Sequence, residues 1–379
     1  YLSLPDKSLP PTEVLDMQPL KISELHDPEF EQVYQSEISP MRRTGTFNAI
    51  QTQSFHTLYR TDDSVLLGAS PGSGKTLAAE IALLRFFKHE ALRARADGDE
   101  YVRWRAVYIA PFASLVRTRA QEWKRRFASL QGGKNVVVLS GDLSGDLKRI
   151  ENAHIIVTTP GPWDALSRKW RTRQHHAVRE IGLVIADEVH WVGGAGLGSI
   201  DDVISGVDHD AGADFVGDQL AATYEIIVSR IRYMAAEIER PIRIVALSVP
   251  LANARDVAAW IGAPSSAVFN FPPTLRPVQL DVLIQTSTIP HFASRMAALA
   301  APTYRAVCGD PEGTRRVPES RDPAIVFVPS RRQCRVVAGE LLTLAAADGA
   351  PTMFLRAEFS MIESVVEQVS DRALREILK

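Results

Sequence analysis

Residues 65–76 read VLLGASPGSGKT and join a glycine-rich turn to a lysine and a threonine. The apolar run before the turn predicts a buried strand, and Leu77, Ile81 and Leu84 follow the turn at helical spacing. Glycines let successive backbone N–H groups face an anion, and the first turn of a helix adds unpaired donors. A strand, a glycine turn and a helix with Gly-Lys-Thr at the junction predict a phosphate-binding loop, or P-loop.

Within this loop Lys75 is predicted to reach the β- and γ-phosphates of ATP, and the Thr76 hydroxyl to ligate Mg²⁺. The general pattern has glycine where this chain has Ala69, but the variant A-x-x-G-x-G-K-T is satisfied. An ordinary glycine-rich turn is the alternative, which the lysine, the threonine and the strand–helix context disfavour. The predicted ATP-binding residues of the loop are Ala69, Ser70, Pro71, Gly72, Ser73, Gly74, Lys75 and Thr76.

A second chemical feature, Asp187-Glu188-Val189-His190, directly follows an apolar run at 183–186. Asp187 at a strand end could hold Mg²⁺ through water opposite Thr76, and Glu188 could orient and polarise the attacking water. His190 could link the phosphate site to a neighbouring domain. An acidic pair after a strand is often only a solvated strand end, but a phosphate loop at this separation favours nucleotide hydrolysis. We therefore predict Lys75, Asp187, Glu188 and His190 as catalytic residues.

The stretch FNAIQTQSFHTLY precedes the loop and predicts a helix through the spacing of its apolar residues. Gln51 lies on this helix, and its amide could both donate to and accept from the edge of an adenine. A lone glutamine on a helix is usually solvated, but the position just ahead of the phosphate loop favours an adenine contact.

The rest of the chain alternates strands and helices. Unbroken Val/Ile runs begin near residues 105, 135, 154, 181 and 243, and most of these runs are followed by a helical pattern. Such runs predict a parallel sheet covered on both faces, hence an α/β protein with its ligands at the carboxyl ends of the strands.

We predict an extended lead-in at 1–40, a complete α/β domain at 41–270, and a connector with the start of a second α/β domain at 271–379. In the second domain, AIVFVPSRRQCRVVAGELLTLAAA from Ala324 predicts a strand, a turn and a helix. About residues 195–222 contain six aspartates and no lysine or arginine. No glutamate closes a calcium loop there, so a solvated acidic insertion is predicted.

The composition of the chain limits which partners and which cellular compartment we expect. The net charge is −2, so any contact with nucleic acid must be local. No apolar run approaches the roughly 20 residues that span a bilayer, and no membrane partner is expected. Cys308 and Cys334 lack metal or disulfide spacing, which favours a reducing compartment.

Seven motifs together resemble the superfamily-two RNA helicases of the Ski-like branch, in the order that this family has them. They are FNAIQTQ, ASPGSGKT, IAPFASL, TTPGPWDALSRKW, DEVH, RIVALS and FVPSRRQ. PLANARDVAAWIG and FNFPPTLRPVQL further resemble the second cassette of the two-cassette helicases of the spliceosomal U-five particle. HTLYRTDDSVLLGA resembles about equally the two-cassette helicases of the activating signal cointegrator complex, which stay the alternative.

The resemblance implies RecA-like domains and an ATP-dependent RNA helicase with a DEVH box. It implies that Pro111, Phe112, Thr159 and Pro160 lie along the RNA backbone and that Ser248 belongs to the motif coupling hydrolysis to strand movement. It further implies a nuclear protein that unwinds snRNA duplexes. Its implied partners are the N-terminal cassette of the same chain and the proteins of the tri-snRNP.

The chain also departs from the family pattern. The coupling motif Ser-Ala-Thr reads Ser248-Val249-Pro250, and Pro250 lacks a backbone donor. No arginine-finger stretch Q-x-x-G-R-A-G-R is present, and such fingers supply on the order of a thousandfold in rate. We therefore expect nucleotide binding with weak hydrolysis by a regulatory cassette. A working helicase motor and a degenerate cassette that serves as a protein-interaction platform both stay open.

Overall fold

The computed structural model describes residues 12–15, 17–35, 44–97, 102–130, 133–193, 214–276, 280, 282–308, 324–355, 358–369 and 375. The chain divides into two compact units, Tyr1–Leu280 and Asp281–Lys379. The sequence had placed the domain boundary after residue 270.

Unit 1 is built on a sheet of seven short strands. They are β1 (Val65–Gly68), β2 (Arg105–Ile109), β3 (Val136–Val138), β4 (Ile155–Thr158), β5 (Ile181–Ala186), β6 (Arg243–Ser248) and β7 (Val268–Asn270). Their order is β3-β4-β2-β5-β6-β1-β7, and all neighbours are parallel. The predicted α/β class is confirmed, and β7 is an addition. This strand has three residues and is separated from Pro272 and Pro273 by Phe271 alone, and the sequence predicted no strand there.

Helices cover the sheet. In unit 1 they are α1 (Pro28–Gln35), α2 (Ala49–Arg60), α3 (Lys75–Asp97), α4 (Ala113–Arg126), α5 (Leu143–Glu151), α6 (Pro160–Ser167), α7 (His176–Arg179), α8 (Asp214–Glu237) and α9 (Ala254–Ile261). Short 3₁₀ turns add Ile22–Leu25, Phe127–Ser129, Arg173–His175, Val189–Gly193 and Ser265–Ala267.

Two apolar cores lie on the two faces of the sheet because side chains alternate along each strand. On β1, Leu67 packs with α1 to α4, whereas Leu66 packs with residues of α6, α8 and α9. On β2, Tyr108 and Val107 divide between the two cores in the same way. Burial on both faces explains why the strands are continuous Val/Ile runs.

The amino-terminal segment differs from its prediction as an extended lead-in. Ile22–Leu25 and α1 are helical, and Phe30, Val33 and Tyr34 are buried in the core of unit 1. These three residues recur at helical spacing within an acidic, proline-rich context that concealed the pattern. Thr12 also pairs with Asn270 through both backbone and side chain.

Most of the predicted acidic insertion, residues 195–213, lies outside the described residues. The last part of it, residues 214–222, is helical because α8 begins at Asp214. No helix among the described residues is long and apolar enough to cross a membrane.

Unit 2 contains α10 (Phe292–Val307), α11 (Arg331–Ala347) and α12 (Phe359–Gln368). The strand predicted from Ala324 is absent: residues 324–328 have no strand assignment, and Phe327 is 91% exposed. A strand needs a neighbour for its backbone hydrogen bonds, and the described part of unit 2 contains helices alone. The helix predicted after this segment is present as α11.

Candidate nucleotide-binding site

The predicted phosphate loop, residues 69–74, connects the buried strand β1 to the amino end of α3. Gly72 and Gly74 have φ values of +78° and +87°, the left-handed region that favours glycine. A Cβ atom on Gly74 would also lie 2.3 Å from Nε2 of Gln51, so any other residue there would displace the Gln51 amide from the loop. The loop leads into a long helix whose dipole and first-turn N–H groups favour an anion.

Lys75 closes the loop on itself. Its ammonium nitrogen donates to the backbone oxygens of Ala69 at 2.6 Å and Ser70 at 3.1 Å. Burial lowers the pKa of Lys75, while the nearby carboxylates of Glu188 and Asp187 act in the opposite direction. The ammonium therefore lies within electrostatic reach of the acidic pair.

Gln51 and Asn48 brace the loop from α2. The two residues form a capping box: the Gln51 N–H donates to Asn48 Oδ1 at 2.9 Å, and the Asn48 N–H donates to Gln51 Oε1 at 3.0 Å. Asn48 Nδ2 donates to the Ser73 carbonyl at 2.9 Å, and Gln51 Nε2 donates to the Gly74 carbonyl at 3.2 Å. Gln51 thus lies against the phosphate loop with its amide engaged, and its adenine contact stays a prediction.

Asp187 lies at the end of β5 and is held from three sides. Its Oδ2 accepts from the Tyr108 hydroxyl at 2.5 Å, and its Oδ1 accepts from the Glu188 N–H at 3.0 Å. The Tyr224 hydroxyl donates to the Asp187 carbonyl at 2.8 Å. Burial first, and then the negative charge of Asp187, raises the pKa of Tyr108, so this phenol keeps its proton and acts as a donor.

Glu188 is in a left-handed conformation with φ of +56°, which is costly for a residue with a Cβ atom. Burial and the charge of Asp187 raise the pKa of Glu188, and Lys75 opposes this shift. His190 Nδ1 lies 3.4 Å from Glu188 Oε2, and burial followed by Lys75 lowers the pKa of His190. A raised pKa makes Glu188 a stronger base at neutral pH.

The strand order places β6 between β1 and β5, so these three carboxyl ends are neighbours. Gly68 pairs with Ser248, and the Ala69 N–H donates to the Ser248 carbonyl at 3.0 Å. The phosphate loop with Lys75 and the acidic pair Asp187–Glu188 therefore lie at one edge of the sheet, on either side of Ser248, and we call the space between them the crevice.

Two hydroxyls at this edge are buried without a hydrogen-bond partner, Ser73 Oγ in the loop and Ser248 Oγ at the end of β6. An unsatisfied buried hydroxyl costs about 1–3 kcal/mol. A phosphate oxygen or a water molecule in the crevice would supply the missing partners, which is the pattern of a site shaped for a polar ligand.

The four predicted RNA-contacting residues follow β2 and β4, which are paired strands. Phe112 is 42% exposed and makes an edge-to-face contact with Trp191, with ring centroids 5.1 Å apart at 87°. Pro111 is buried, Thr159 is the residue before α6, and Pro160 begins that helix. All four lie at the same sheet edge as the crevice, and their contact with RNA stays a prediction.

Residues 48–211 match the sequence profile of the DEAD/DEAH box helicase family. These residues form a DEAD/DEAH box helicase domain. The match begins at Asn48 of the capping box and contains both the phosphate loop and the DEVH box.

The helicase domain and its flanks are similar to curated proteins along the whole chain. The chain is 40% identical over 378 residues to the U5 small nuclear ribonucleoprotein 200 kDa helicase of Mus musculus. It is 37% identical over 375 residues to activating signal cointegrator 1 complex subunit 3 of Gallus gallus. The chain spans 15% and 14% of the length of these relatives.

The fold of the helicase domain recurs in solved structures. The DUF1998 helicase MrfA bound to DNA has a TM-score of 0.55 with 14% sequence identity, over 96% of this chain and 45% of that chain. At this identity the likeness concerns the fold alone. It supports the predicted RecA-like α/β fold.

Sequence reasoning did not single out several residues of unit 1 that contact predicted site residues, and three of them lie beside Thr76 and Asp187. Tyr108 holds Asp187, Tyr224 holds the carbonyl of the same residue, and Arg119 Nη2 donates to Thr76 Oγ1 at 3.0 Å. Tyr108 and Tyr224 were hidden within buried apolar patterns. The sequence signal for Arg119 was weak, because a charged residue on a helix is normally solvated.

The donor chemistry of the crevice fits Mg²⁺. The predicted ligands, the Thr76 hydroxyl and the Asp187 carboxylate, are oxygen donors of the kind that this ion prefers. Among the described residues no group of three or more His, Cys, Asp and Glu side chains could hold a metal. One or two protein oxygens together with phosphates and water are the usual way in which Mg²⁺ is held.

Two cavities of unit 1 lie away from this chemistry. A cavity of about 290 Å³ lies near the amino ends of β5 and β6 and is lined by Trp104, Gly182, Arg240 and Arg243 among others. Arg243 there donates to three backbone oxygens of α2 and its following turn. These contacts are structural, and we assign the nucleotide site from the crevice residues instead.

Proposed function

We propose that this chain binds ATP with Mg²⁺ in the crevice and is a cassette of an ATP-dependent RNA helicase. One observation carries the proposal: the phosphate loop that follows β1 and the acidic pair Asp187–Glu188 that follows β5 lie at the same edge of the sheet, on either side of β6. A cation and two carboxylates at the end of a glycine loop suit a metal-bound triphosphate.

The chain's own residues divide the work of phosphoryl transfer. Lys75 would leave the carbonyls of Ala69 and Ser70 for the phosphates, and the loop N–H groups would hold their oxygens. Glu188 would accept a proton from the attacking water, and its raised pKa suits that task. His190, beside Glu188, would hydrogen-bond to a neighbouring domain.

Thr76 and Asp187 would hold the Mg²⁺ ion, which neutralises charge on the phosphates during transfer. The Tyr108 hydroxyl holds one carboxylate oxygen of Asp187 and the Glu188 N–H holds the other, so the carboxylate is fixed in orientation at the end of β5. Gln51 would contact the adenine after its amide rearranges from the Gly74 carbonyl.

A single strand of RNA would pass along the loops after β2 and β4, over Pro111, Phe112, Thr159 and Pro160. Backbone phosphates bind well at loops and helix amino ends, and α4 and α6 begin at these loops. Phe112 is exposed and could stack on a base.

We propose further that the cassette belongs to a nuclear, spliceosomal helicase acting on snRNA duplexes. Its partners would be tri-snRNP proteins and an N-terminal cassette of the same protein. The similarity to the U5 200 kDa helicase supports this assignment. The second unit, Asp281–Lys379, would belong to a second RecA-like domain. Weak hydrolysis in a regulatory cassette is the expected activity.

The second candidate is a degenerate cassette that retains ATP and docks proteins, or a cassette of the signal cointegrator type. The coupling segment favours the first of these. Ser248 Oγ is buried without a partner, and Pro250 lacks an N–H. The similarity to the cointegrator subunit supports the other assignment, a cassette of the signal cointegrator type.

The test is titration calorimetry of ATP with Mg²⁺ against the chain and against Lys75→Ala and Glu188→Gln. We expect Lys75→Ala to lose binding, and Glu188→Gln to bind but not hydrolyse ATP in an RNA-stimulated turnover assay. Binding that is equal in wild type and Lys75→Ala would refute the site. Normal binding with no RNA-stimulated turnover in the wild type would favour the platform.

A further inference from the structure

A cation of the chain itself lies beside a predicted metal ligand. Arg119 of α4 donates from Nη2 to the Thr76 hydroxyl at 3.0 Å and from Nη1 to Glu122 at 2.5 Å. The Arg119 side chain is 16% exposed and that of Glu122 41%. The Arg119 Nε atom is buried and has no hydrogen-bond partner. The guanidinium is thus divided between a carboxylate at the surface and a hydroxyl in the crevice.

Arg119 also approaches the second predicted metal ligand. Its guanidinium carbon lies 6.0 Å from the centroid of the Tyr108 ring, and the Tyr108 hydroxyl donates to Asp187. The same carbon lies 5.7 Å from the Trp123 ring. The guanidinium therefore contacts Thr76 directly and is separated from Asp187 by a single phenol ring.

A metal ion on Thr76 would meet this charge at close range. A threonine oxygen has two lone pairs, and Arg119 uses one of them. With a metal–oxygen distance of about 2.1 Å, a Mg²⁺ ion on the other lone pair would be no more than roughly 5 Å from Nη2. Two like charges at that distance repel, so either the ion binds more weakly or the guanidinium withdraws toward Glu122.

We propose that Arg119 is a positioning residue that competes with Mg²⁺ for the Thr76 hydroxyl and sets how much Mg²⁺ the nucleotide site requires. When the ion binds, the guanidinium moves away from Thr76 and stays paired with Glu122. The inference rests on the proposed function, because it needs a nucleotide in the crevice.

The experiment measures the Mg²⁺ concentration at half-saturation for binding of a fluorescent, non-hydrolysable ATP analogue to the 379-residue chain. Ionic strength is held constant, because added salt would screen the same charges. Association of Mg²⁺ with the free analogue is identical for every variant, so differences between variants report the protein.

Removing the positive charge of Arg119 should strengthen the binding of Mg²⁺. We expect Arg119→Met to lower the half-saturating Mg²⁺ concentration by about three- to tenfold, the scale of one charge at this distance in a hydrated site. Arg119→Lys keeps the charge and should shift the half-saturating Mg²⁺ concentration less. Arg117→Met, an exposed arginine on the same helix, is the matched control and should shift nothing.

A double-variant cycle separates competition from a general charge effect. Glu122→Gln should raise the half-saturating concentration, because Arg119 loses its alternative partner and stays on Thr76. In the Arg119→Met background the same substitution should have little effect, since Glu122 acts through Arg119. Equal effects in both backgrounds would overturn the proposal, and Glu122 is exposed enough for its variant to fold.

The remaining outcomes distinguish a failure of the Arg119 proposal from a failure of the proposed nucleotide site. If Arg119→Met binds the analogue with an unchanged Mg²⁺ requirement, competition at Thr76 is wrong while nucleotide binding stands. If the wild type fails to bind the analogue at saturating Mg²⁺, the proposed function falls and this inference with it.

Discussion

A buried ion pair fastens the two helices that supply the phosphate loop and Arg119. Glu80 of α3 is fully buried and accepts from Trp123 Nε1 at 2.8 Å and from Arg126 Nη1 of α4. Burial by itself disfavours the charged guanidinium of Arg126, but the attraction and hydrogen bonds of Glu80 outweigh it and raise its pKa. Replacing Arg126 by methionine keeps much of the side-chain volume and removes the charge.

The expected cost follows from the carboxylate left behind. With Arg126→Met, Glu80 stays in the core with the Trp123 N–H as its remaining donor among the described contacts. Removing one partner of a buried pair costs about 3–5 kcal/mol, mainly through the uncompensated charge. If that is the origin, adding Glu80→Gln should return the free energy of unfolding to within about 1–2 kcal/mol of wild type.

Urea unfolding at neutral pH, followed by the intrinsic fluorescence of the six tryptophans, all of which lie in unit 1, measures these differences. The transition of unit 1 is fitted separately, because a chain of two compact units need not unfold in one step. Arg168→Met is the control: Arg168 is exposed, and its partner Asp164 keeps Arg230, so stability should hardly change.

The result that refutes this reasoning is a double variant as unstable as Arg126→Met alone. The cost would then come from lost packing around the arginine stem rather than from an abandoned charge.

Three further predictions concern single positions. Gly74→Ala should cost about 1–3 kcal/mol of stability and at least roughly tenfold in ATP affinity, because of its left-handed φ and the clash with Gln51. Gly161→Ala, in open space on a helix, is the control and should be neutral to slightly stabilising. Urea unfolding measures the stability of both variants, and calorimetry measures their ATP affinity. Glu188→Gln should be more stable than wild type at pH 7, because the raised carboxyl pKa penalises the ionised form, and this advantage should vanish below pH 4.5, where the group is protonated in both states. Burial and neighbouring cations lower the pKa of His154 to about 4, so wild type should lose stability as pH falls from 6.5 through about 4, by no more than about 2 kcal/mol for this half-exposed ring, and His154→Gln should show a flatter pH profile.

The sequence could predict what depends on local pattern. The phosphate loop, the acidic box and six of the strands are each written in a short stretch, and parallel order then brings the strand ends to one edge. Contacts that join distant residues left no local signal. Tyr108 and Asp187 are 79 residues apart, and Thr76 and Arg119 are 43 apart.

Three differences between prediction and structure have a common cause: the secondary structure of a segment depends on its neighbours in space. Residues 324–328 have the composition of a strand but no pairing partner among the described residues, so the pattern alone misled. Val268–Asn270 was not predicted as a strand, yet it pairs with β1. The acidic lead-in likewise became helical where Phe30 and Tyr34 found the core.

The left-handed backbone at Glu188 has a consequence for anyone who engineers this domain. Glycine there would relieve the dihedral cost, and its missing carboxylate would remove a poorly hydrated anion as well. A directed-evolution screen that rewards heat tolerance alone should therefore enrich glycine or asparagine at this position and discard the proposed base. Selection for thermal stability would favour glycine or asparagine at this position, whereas selection for ATP turnover would favour glutamate.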